Sequence, residues 1–424
     1  MAFKPILLKY CTDNPDTSVD YYLFHGGYIA AEKTLDMPRS DVIEEVKKSG
    51  LRGRGGAGFP TGVKWGFVPK GVLPTYLVCN ADESEPGTCK DRQLLSGDPH
   101  ALIEGIIIAC WAICANQAFI YIRGEMGPEA KVLEKAIDEA RRKGFLGDKI
   151  FGKNFSLEIT ITRGGGAYIC GEETSQLTSI EGNRGYPRLK PPFPAVQGLW
   201  SQPTIINNVE TLMNLPHIMN NGGEWYRGFG TEKSPGFKVF SVSGHVNKPG
   251  NYEVPLGVRL DELINDYAGG PLNDIPLKAI IPGGSSVPVL TKKDFDVELD
   301  YESVAERGSM LGSGAVIVMN ENVCMVSAIL NLIRFYHHES CGQCTPCREG
   351  TGWLEKIIHR IAKGKGRMED LDLLENIGNN MVGNTVCVLA DAAVMPVQSF
   401  LKKFRHEFEY FIENKKSMVE NPIN

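Results

Sequence analysis

The sequence predicts an α/β protein in three parts. An α/β domain with a Rossmann-like parallel sheet spans 1–235, a small β-grasp-like (ubiquitin-like) domain spans 236–325, and a C-terminal four-helix bundle spans 326–424. Three observations predict it. Short apolar runs alternate with helical periodicity through the first half. Near Pro235 the composition shifts to short strand patterns around a single helix. Beyond Val326 only helical periodicity remains.

In chain order, a mixed N-terminal arm ends in a short amphipathic helix at 41–48, and a glycine-dense loop follows at 53–62. Strand signals at 75–80, 119–123 and 157–162 are separated by helical patterns at 99–116 and 128–143, the alternation of a parallel sheet. A second glycine cluster, 164–166, leads to a helix expected to start near Gly171. A Pro-rich linker, 187–203, then precedes 205–212. The middle part carries strand patterns at 237–244, 250–255, 277–282 and 315–319 and a helix at 260–267. Helical periods follow at 326–338, 345–363, 368–382 and 390–412, and the polar residues 414–424 are expected to fray.

At 424 residues there is room for two or three cores. The net charge of −6 gives no support for nucleic-acid binding. The most apolar run, 106–115, falls short of the ~18 to 20 residues of a membrane span and reads as a buried helix, so no direct membrane contact is expected. The N-terminal apolar run is too short for a signal peptide. Eleven cysteines, an odd number without an export signal, point to a reducing, cytoplasmic compartment with free or metal-bound thiols.

The densest chemistry lies at 340–350, where Cys341, Cys344 and Cys347 stand at C-x-x-C-x-x-C spacing and only Cys387 follows. Four thiolates suit a 4Fe-4S cube. They also suit a structural zinc ion, although zinc modules commonly pair two C-x-x-C units. Unligated structural cysteines are the third reading. His337 and His338 read as surface or packing residues.

The loop at 53–58 is a literal G-x-G-x-x-G, but it follows a helix and Pro60 is expected to block an immediate one, so as a dinucleotide fingerprint it is weak. Its glycines still let backbone approach a flat or phosphorylated ligand, with Arg54 and Lys64 adding positive charge; a tight surface turn is the plain alternative. Near the second cluster, Tyr168, Glu172 and Glu173 bring two carboxylates to a helix start. Such an acid can bond a ribose 2′-OH and repel a 2′-phosphate, or simply complement the helix dipole. Asn80, Asp82, Glu83 and Glu85 lie just past a strand, where binding residues of open α/β sheets gather.

Taken together with 207–211, these motifs resemble the NADH-binding flavoprotein subunits (51 kDa type) of respiratory complex I, the bacterial NADH–quinone oxidoreductase, over roughly residues 10 to 410. The same core occurs in diaphorase subunits of NAD-linked hydrogenases and formate dehydrogenases. Those often carry extra fused Fe–S modules, whereas this chain has no additional cysteine cluster. The resemblance implies a Rossmann-like flavin/NADH domain and non-covalent FMN contacted by Gly53, Arg54, Gly55, Lys64, Asn80, Asp82, Tyr168, Gly171, Glu172, Asn207, Asn208 and Thr211. It implies adenine held by Phe59, Phe67 and Phe193 with Lys64 and Lys190 nearby. Glu85, Glu172 and Glu173 would line the NADH site as its catalytic positioning residues, an acidic wall that repels the pyrophosphate. Cys341, Cys344, Cys347 and Cys387 would hold the 4Fe-4S cluster. Without the family, the three phenylalanines would read as core aromatics.

The implied activity is electron input: a hydride from NADH, carried on as single electrons through the cluster toward quinone. The implied partners are a 2Fe-2S thioredoxin-like subunit in a heterodimer and a large Fe–S subunit, with the chain peripheral on the inner face of the cell membrane through the complex. A diaphorase subunit, a flavin-free Fe–S carrier and a zinc-stabilised binding protein are the alternatives.

Overall fold

Four parallel strands form the first sheet of the computed structural model, which describes residues 3–419: Tyr76–Ala81 (β1), Gln117–Ile122 (β2), Glu158–Arg163 (β3) and Thr204–Asn208 (β4). Their order is β3-β2-β1-β4. The chain therefore leaves β1 toward one edge and returns to its other side with β4. The point where the order reverses lies between the carboxyl ends of β1 and β4, where Asn80 and Asn208 pair in register. Ligand clefts of open α/β sheets form at such a switch.

The helix Pro99–Ile113 packs on β1 and β2 with nearly every residue buried. The Asp98 side chain accepts a hydrogen bond from the Ala101 N–H, and Pro99 fits the first turn, where no intrahelical N–H bond is lost. Its apolar run is thus core, and among the described residues no helix is long and apolar enough to cross a membrane. Helix Gly127–Arg142 buries Ala130, Leu133, Ala136, Ile137 and Ala140, one face at helical spacing.

The second sheet contains Phe237–Gly244 (β5), Gly250–Pro255 (β6), Leu277–Ile281 (β7), Leu290–Thr291 (β8) and Ala315–Asn320 (β9), in the order β6-β5-β9-β7-β8. Only β5 and β9 run parallel. Four helices close the chain, Met325–Glu339, Thr345–Ala362, Glu369–Met381 and Leu389–Asn414, each packing on the next.

Several expectations need correction. Pro60 does not block a helix: its extended backbone caps Thr61–Trp65, which begins at the next residue. The second glycine cluster leads first to a 3-10 turn, Tyr168–Gly171, and the α-helix begins only at Glu173. The Pro-rich segment connects Glu173–Ile180 to β4, within the first domain as expected. The helix at 260–267 makes one α-turn, Leu260–Glu262, and then widens into a π-helix, Leu263–Tyr267. Of 414–424, Asn414 ends the last helix and residues 420–424 lie outside the described residues.

Candidate active site

The switch point opens into a cleft of about 300 Å³. Gly55 and Asn208 line one side, and Asn80, Asp82 and Glu85 continue from β1. Tyr168, Gly171 and Glu172 form a further wall, and Cys387 with Val388 and Leu389 closes it from the C-terminal helices. The glycine loops and the cysteine region thus open onto one space.

Each wall is fixed by its own hydrogen bonds. The Asn80 amide donates to the Gly171 carbonyl at 2.9 Å and its oxygen accepts from the Asp82 N–H at 3.1 Å, tying the two loops together. Asn208 caps the next helix through Glu210 N–H at 3.0 Å and donates to Asp91 at 2.7 Å. Asn207 accepts from the Trp65 indole at 2.9 Å, and Thr211 Oγ1 accepts from the Arg54 N–H at 2.8 Å. Arg54 itself does not face the cleft. Its guanidinium is fully buried and donates to Tyr226 Oη at 2.9 Å and the Pro235 carbonyl at 3.0 Å.

Two side chains of the cleft lining, Asp82 and Ser84, are left without a hydrogen-bond partner. Asp82 is 7% exposed, and neither of its carboxylate oxygens is bonded. Burial pushes it up to about 7, against the pull of Arg123. A buried, unpaired carboxyl lining a cleft asks for a ligand with polar ring or hydroxyl groups, and FMN carries both. The residues present therefore fit that cofactor.

The expected acidic wall is not bare. Glu172 spends one oxygen capping helix Glu173–Ile180 through Thr174 N–H (2.8 Å) and Ser175 N–H (2.9 Å), and the other accepts from Lys190 at 2.9 Å. Glu173 lies between Lys64 (3.4 Å) and Lys190 (3.2 Å). Burial alone would raise its carboxyl; the two lysines outweigh that and hold it below the ordinary value. Of the three wall carboxylates, only Glu85 has no cationic partner. It accepts from Tyr168 Oη at 2.7 Å and Ser286 N–H at 2.8 Å. Burial, with Glu85 adding, keeps the Tyr168 phenol well above its usual range.

Phe59, Phe67 and Phe193 are 47%, 54% and 58% exposed, which overturns the core-aromatic reading. Phe59 and Phe67 lie 6.1 Å apart with tilted rings on either side of Lys64 in sequence. Exposed aromatics beside paired lysines are available for stacking on a flat ring.

The four cysteines gather at the ends of three helices. Val386 N–H donates to Cys344 Sγ at 3.3 Å, and Ser340 Oγ lies 3.3 Å from Cys347 Sγ. Burial pushes Cys387 up to about 12, with Glu172, Cys341 and Cys347 adding to it, and burial raises Cys347 as well. Buried surroundings with a carboxylate nearby favour thiolates only when a bound metal centre supplies positive charge. Among the described residues no three His, Cys, Asp or Glu side chains converge tightly enough for a single ion. A lone zinc at ~2.3 Å from each sulfur would hold thiolates roughly 3.8 Å apart.

Sequence reasoning missed Lys90, Asp91, Ser286 and Ser313, all in the cleft lining. Lys90 is 1% exposed and pairs with Asp91 at 2.7 Å and Glu210 at 2.8 Å. Burial opposes its charge, but these carboxylates and Glu83 outweigh it and hold it above the ordinary lysine range. A Lys-Asp pair opening a helix after a strand was the available signal. The serines arrive by tertiary packing and carry none.

The comparisons agree with this geometry. The family described as Nuo51 FMN-binding domain matches residues 46–217, the NADH-ubiquinone oxidoreductase-F iron-sulfur binding region matches 327–411, and the SLBB domain matches 238–318. The F subunit of the NADH-quinone oxidoreductase of Streptomyces coelicolor is 52% identical, covering 97% of this chain and 92% of the relative. The F 2 subunit of the Rhizobium meliloti enzyme is 50% identical over 98% and 99%. A solved NAD+-reducing [NiFe]-hydrogenase in the H2-reduced state has a chain similar at a TM-score of 0.82 and 37% identity. That match covers 90% of this chain and 64% of the hydrogenase chain, so this protein spans about two thirds of its length. Near-full-length identity at this level, over both the cleft and the cysteine loops, places the chain in the family of NADH-quinone oxidoreductase F subunits.

Proposed function

We propose that this chain is the electron-input subunit of an NADH–quinone oxidoreductase, with FMN in the cleft and a 4Fe-4S cluster on Cys341, Cys344, Cys347 and Cys387. The observation that carries it is the shared cleft: Asn80, Asp82, Tyr168 and Asn208 line the same space as Cys387. When bound, the flavin supplies the conversion of a two-electron hydride into single electrons. The chain's own residues position and bind. Gly55 lets backbone close on the ligand, Asp82 offers its unpaired carboxyl, and Asn80 and Asn208 hold the loops in register. Phe59, Phe67 and Phe193 offer stacking faces for adenine, while Lys64 and Lys190 hold Glu173 in place. No nucleophile or general base is required.

An anaerobic NADH titration, followed by absorbance and EPR, tests this reading. It should bleach a yellow chromophore and raise an iron–sulfur signal; purified chain with neither flavin nor iron would refute it.

Two substitutions probe the nucleotide end. Glu85→Gln removes the one wall carboxylate without a cationic partner while keeping its shape, and should tighten NADH and NAD+ binding several-fold. Equilibrium titration that finds unchanged or weaker binding counts against repulsion as its role. Glu173→Ala frees Lys64 from its carboxylate and leaves Lys190 facing Glu172 alone, and should raise kcat/KM for NADPH relative to NADH by about tenfold, equivalent to ~1.4 kcal/mol. Steady-state kinetics with both donors decides it, and a constant ratio defeats the assignment.

The domain boundaries near 235 and 325, and the β-grasp and four-helix-bundle descriptions, belong to the same reading, supported by the two sheets and the closing helices. So do a 2Fe-2S thioredoxin-like partner, a large Fe–S subunit and a peripheral place on the inner membrane face through the complex. The diaphorase reading is favoured by the hydrogenase likeness. It is the weaker one, because the quinone-oxidoreductase relatives match over nearly their whole length.

A further inference from the structure

The middle domain contributes no group that reacts, yet it touches both loops of the cleft. Tyr301 Oη donates to the Gly53 carbonyl at 2.9 Å. Lys238, fully buried on β5, donates to the Arg54 carbonyl at 3.1 Å. Arg52 donates to the Gly58 carbonyl at 2.7 Å, pairs with Glu302 at 2.5 Å and lays its guanidinium over the Tyr301 ring at 3.9 Å. Gly58 has φ +64°, and a Cβ there would run into that ring, so Tyr301 packs where only glycine fits. On the opposite wall, Ser286 N–H donates to Glu85, and Ser313 Oγ lies 2.7 Å from Thr88 Oγ1.

The loop carbonyls of Gly53 and Arg54 are therefore held from outside their own sheet. A glycine-rich loop is conformationally free, and fixing it costs entropy that a ligand must otherwise supply on binding. With its carbonyls engaged by Tyr301 and Lys238, and the Gly53 and Arg54 N–H groups by the Phe59 carbonyl and Thr211 Oγ1, the loop is ordered beforehand. The geometry points to a role for the middle domain as the positioning half of the cofactor cleft: Tyr301 and Lys238 hold the glycine loop in its binding conformation, and FMN affinity depends on them. This rests on the flavin reading given above.

The test is Tyr301→Phe in the full chain, which removes the hydroxyl but keeps the ring on Arg52 and Gly58. Tyr267→Phe is the matched control, a half-buried tyrosine of the same domain that packs on Tyr252. FMN is stripped from each protein and returned in a titration read by quenching of flavin fluorescence. The dissociation constant of Tyr301→Phe should rise about tenfold at unchanged unfolding temperature, with turnover restored by saturating FMN, while the control binds like the parent. Equal affinity of parent and Tyr301→Phe overturns the inference, and so does equal weakening of the control. A parent chain that binds no FMN overturns the flavin reading itself, and this inference with it.

Discussion

Replacing Cys347 with Ala abolishes the iron–sulfur EPR signal of the NADH-reduced protein and drops quinone reduction in the assembled complex to background, while the flavin still bleaches with NADH. Cys347 is the most buried of the four sulfurs, 7% exposed, and begins the second closing helix one turn from Thr351, whose hydroxyl bonds its carbonyl at 2.8 Å. Three thiolates leave one corner of a cube open, and the Ser340 hydroxyl, 3.3 Å from the Cys347 sulfur, is a far weaker iron ligand than a thiolate. Alanine is tolerated at that helical position, so the fold should survive and the defect should be confined to the cluster. Retention of a full-strength signal would remove Cys347 from the ligand set. Loss of flavin bleaching as well would mean that the two ends of the cleft are coupled structurally.

The second large effect is on stability. Glu210→Gln lowers it by about 3–5 kcal/mol, the cost of removing one partner from a buried ion pair. Glu210 is fully buried and faces Lys90 at 2.8 Å and Lys238 at 3.3 Å, and its other oxygen accepts from Val239 N–H at 2.9 Å. Glutamine keeps the shape and leaves the buried Lys90 ammonium, and Lys238, which burial already pulls down to about 7, with less negative charge to face. Burial alone would raise the Glu210 carboxyl; Lys238, Lys90 and Arg54 outweigh it and hold it below the ordinary value. Its contribution is thus fully present above the ordinary glutamate value of about 4.3 and is lost as pH falls through the lower folded-state value. The variant should melt well below the parent at pH 7, and the gap should close in strong acid. A gap independent of pH would mean that lost packing, not lost charge, destabilises the variant.

The parallel sheet was legible because strands β1, β2 and β3 alternate with long helices of clear period. β4 was not. Thr204-Ile205-Ile206-Asn207-Asn208 is short, follows a run of prolines and runs directly into a helix, so its strand character comes from pairing with β1 rather than from its own pattern. Spacing singled out Cys341, Cys344 and Cys347, whereas Cys387 lies far along the chain and was reached only as the one later cysteine and through the family resemblance. The glycine loop was legible as a binding element, but Arg54 was not legible as a buried strut. Only the packing of Tyr226 and Pro235 turns that guanidinium away from the cleft. The two glutamates after Gly171 read as bare negative charge because Lys190, which neutralises both, is distant in sequence and joined to them by the fold.

Cys387 stands just ahead of the final helix, remote in sequence from the other three sulfurs. Synthesis runs from the N-terminus, so a growing polypeptide displays three sulfurs long before the fourth emerges. Iron delivered early meets an incomplete cage. On the ligand set proposed above, a chain terminated ahead of that last sulfur would lack one of the four ligands, however well its earlier residues had folded. Metal content would therefore record whether translation had passed Cys387.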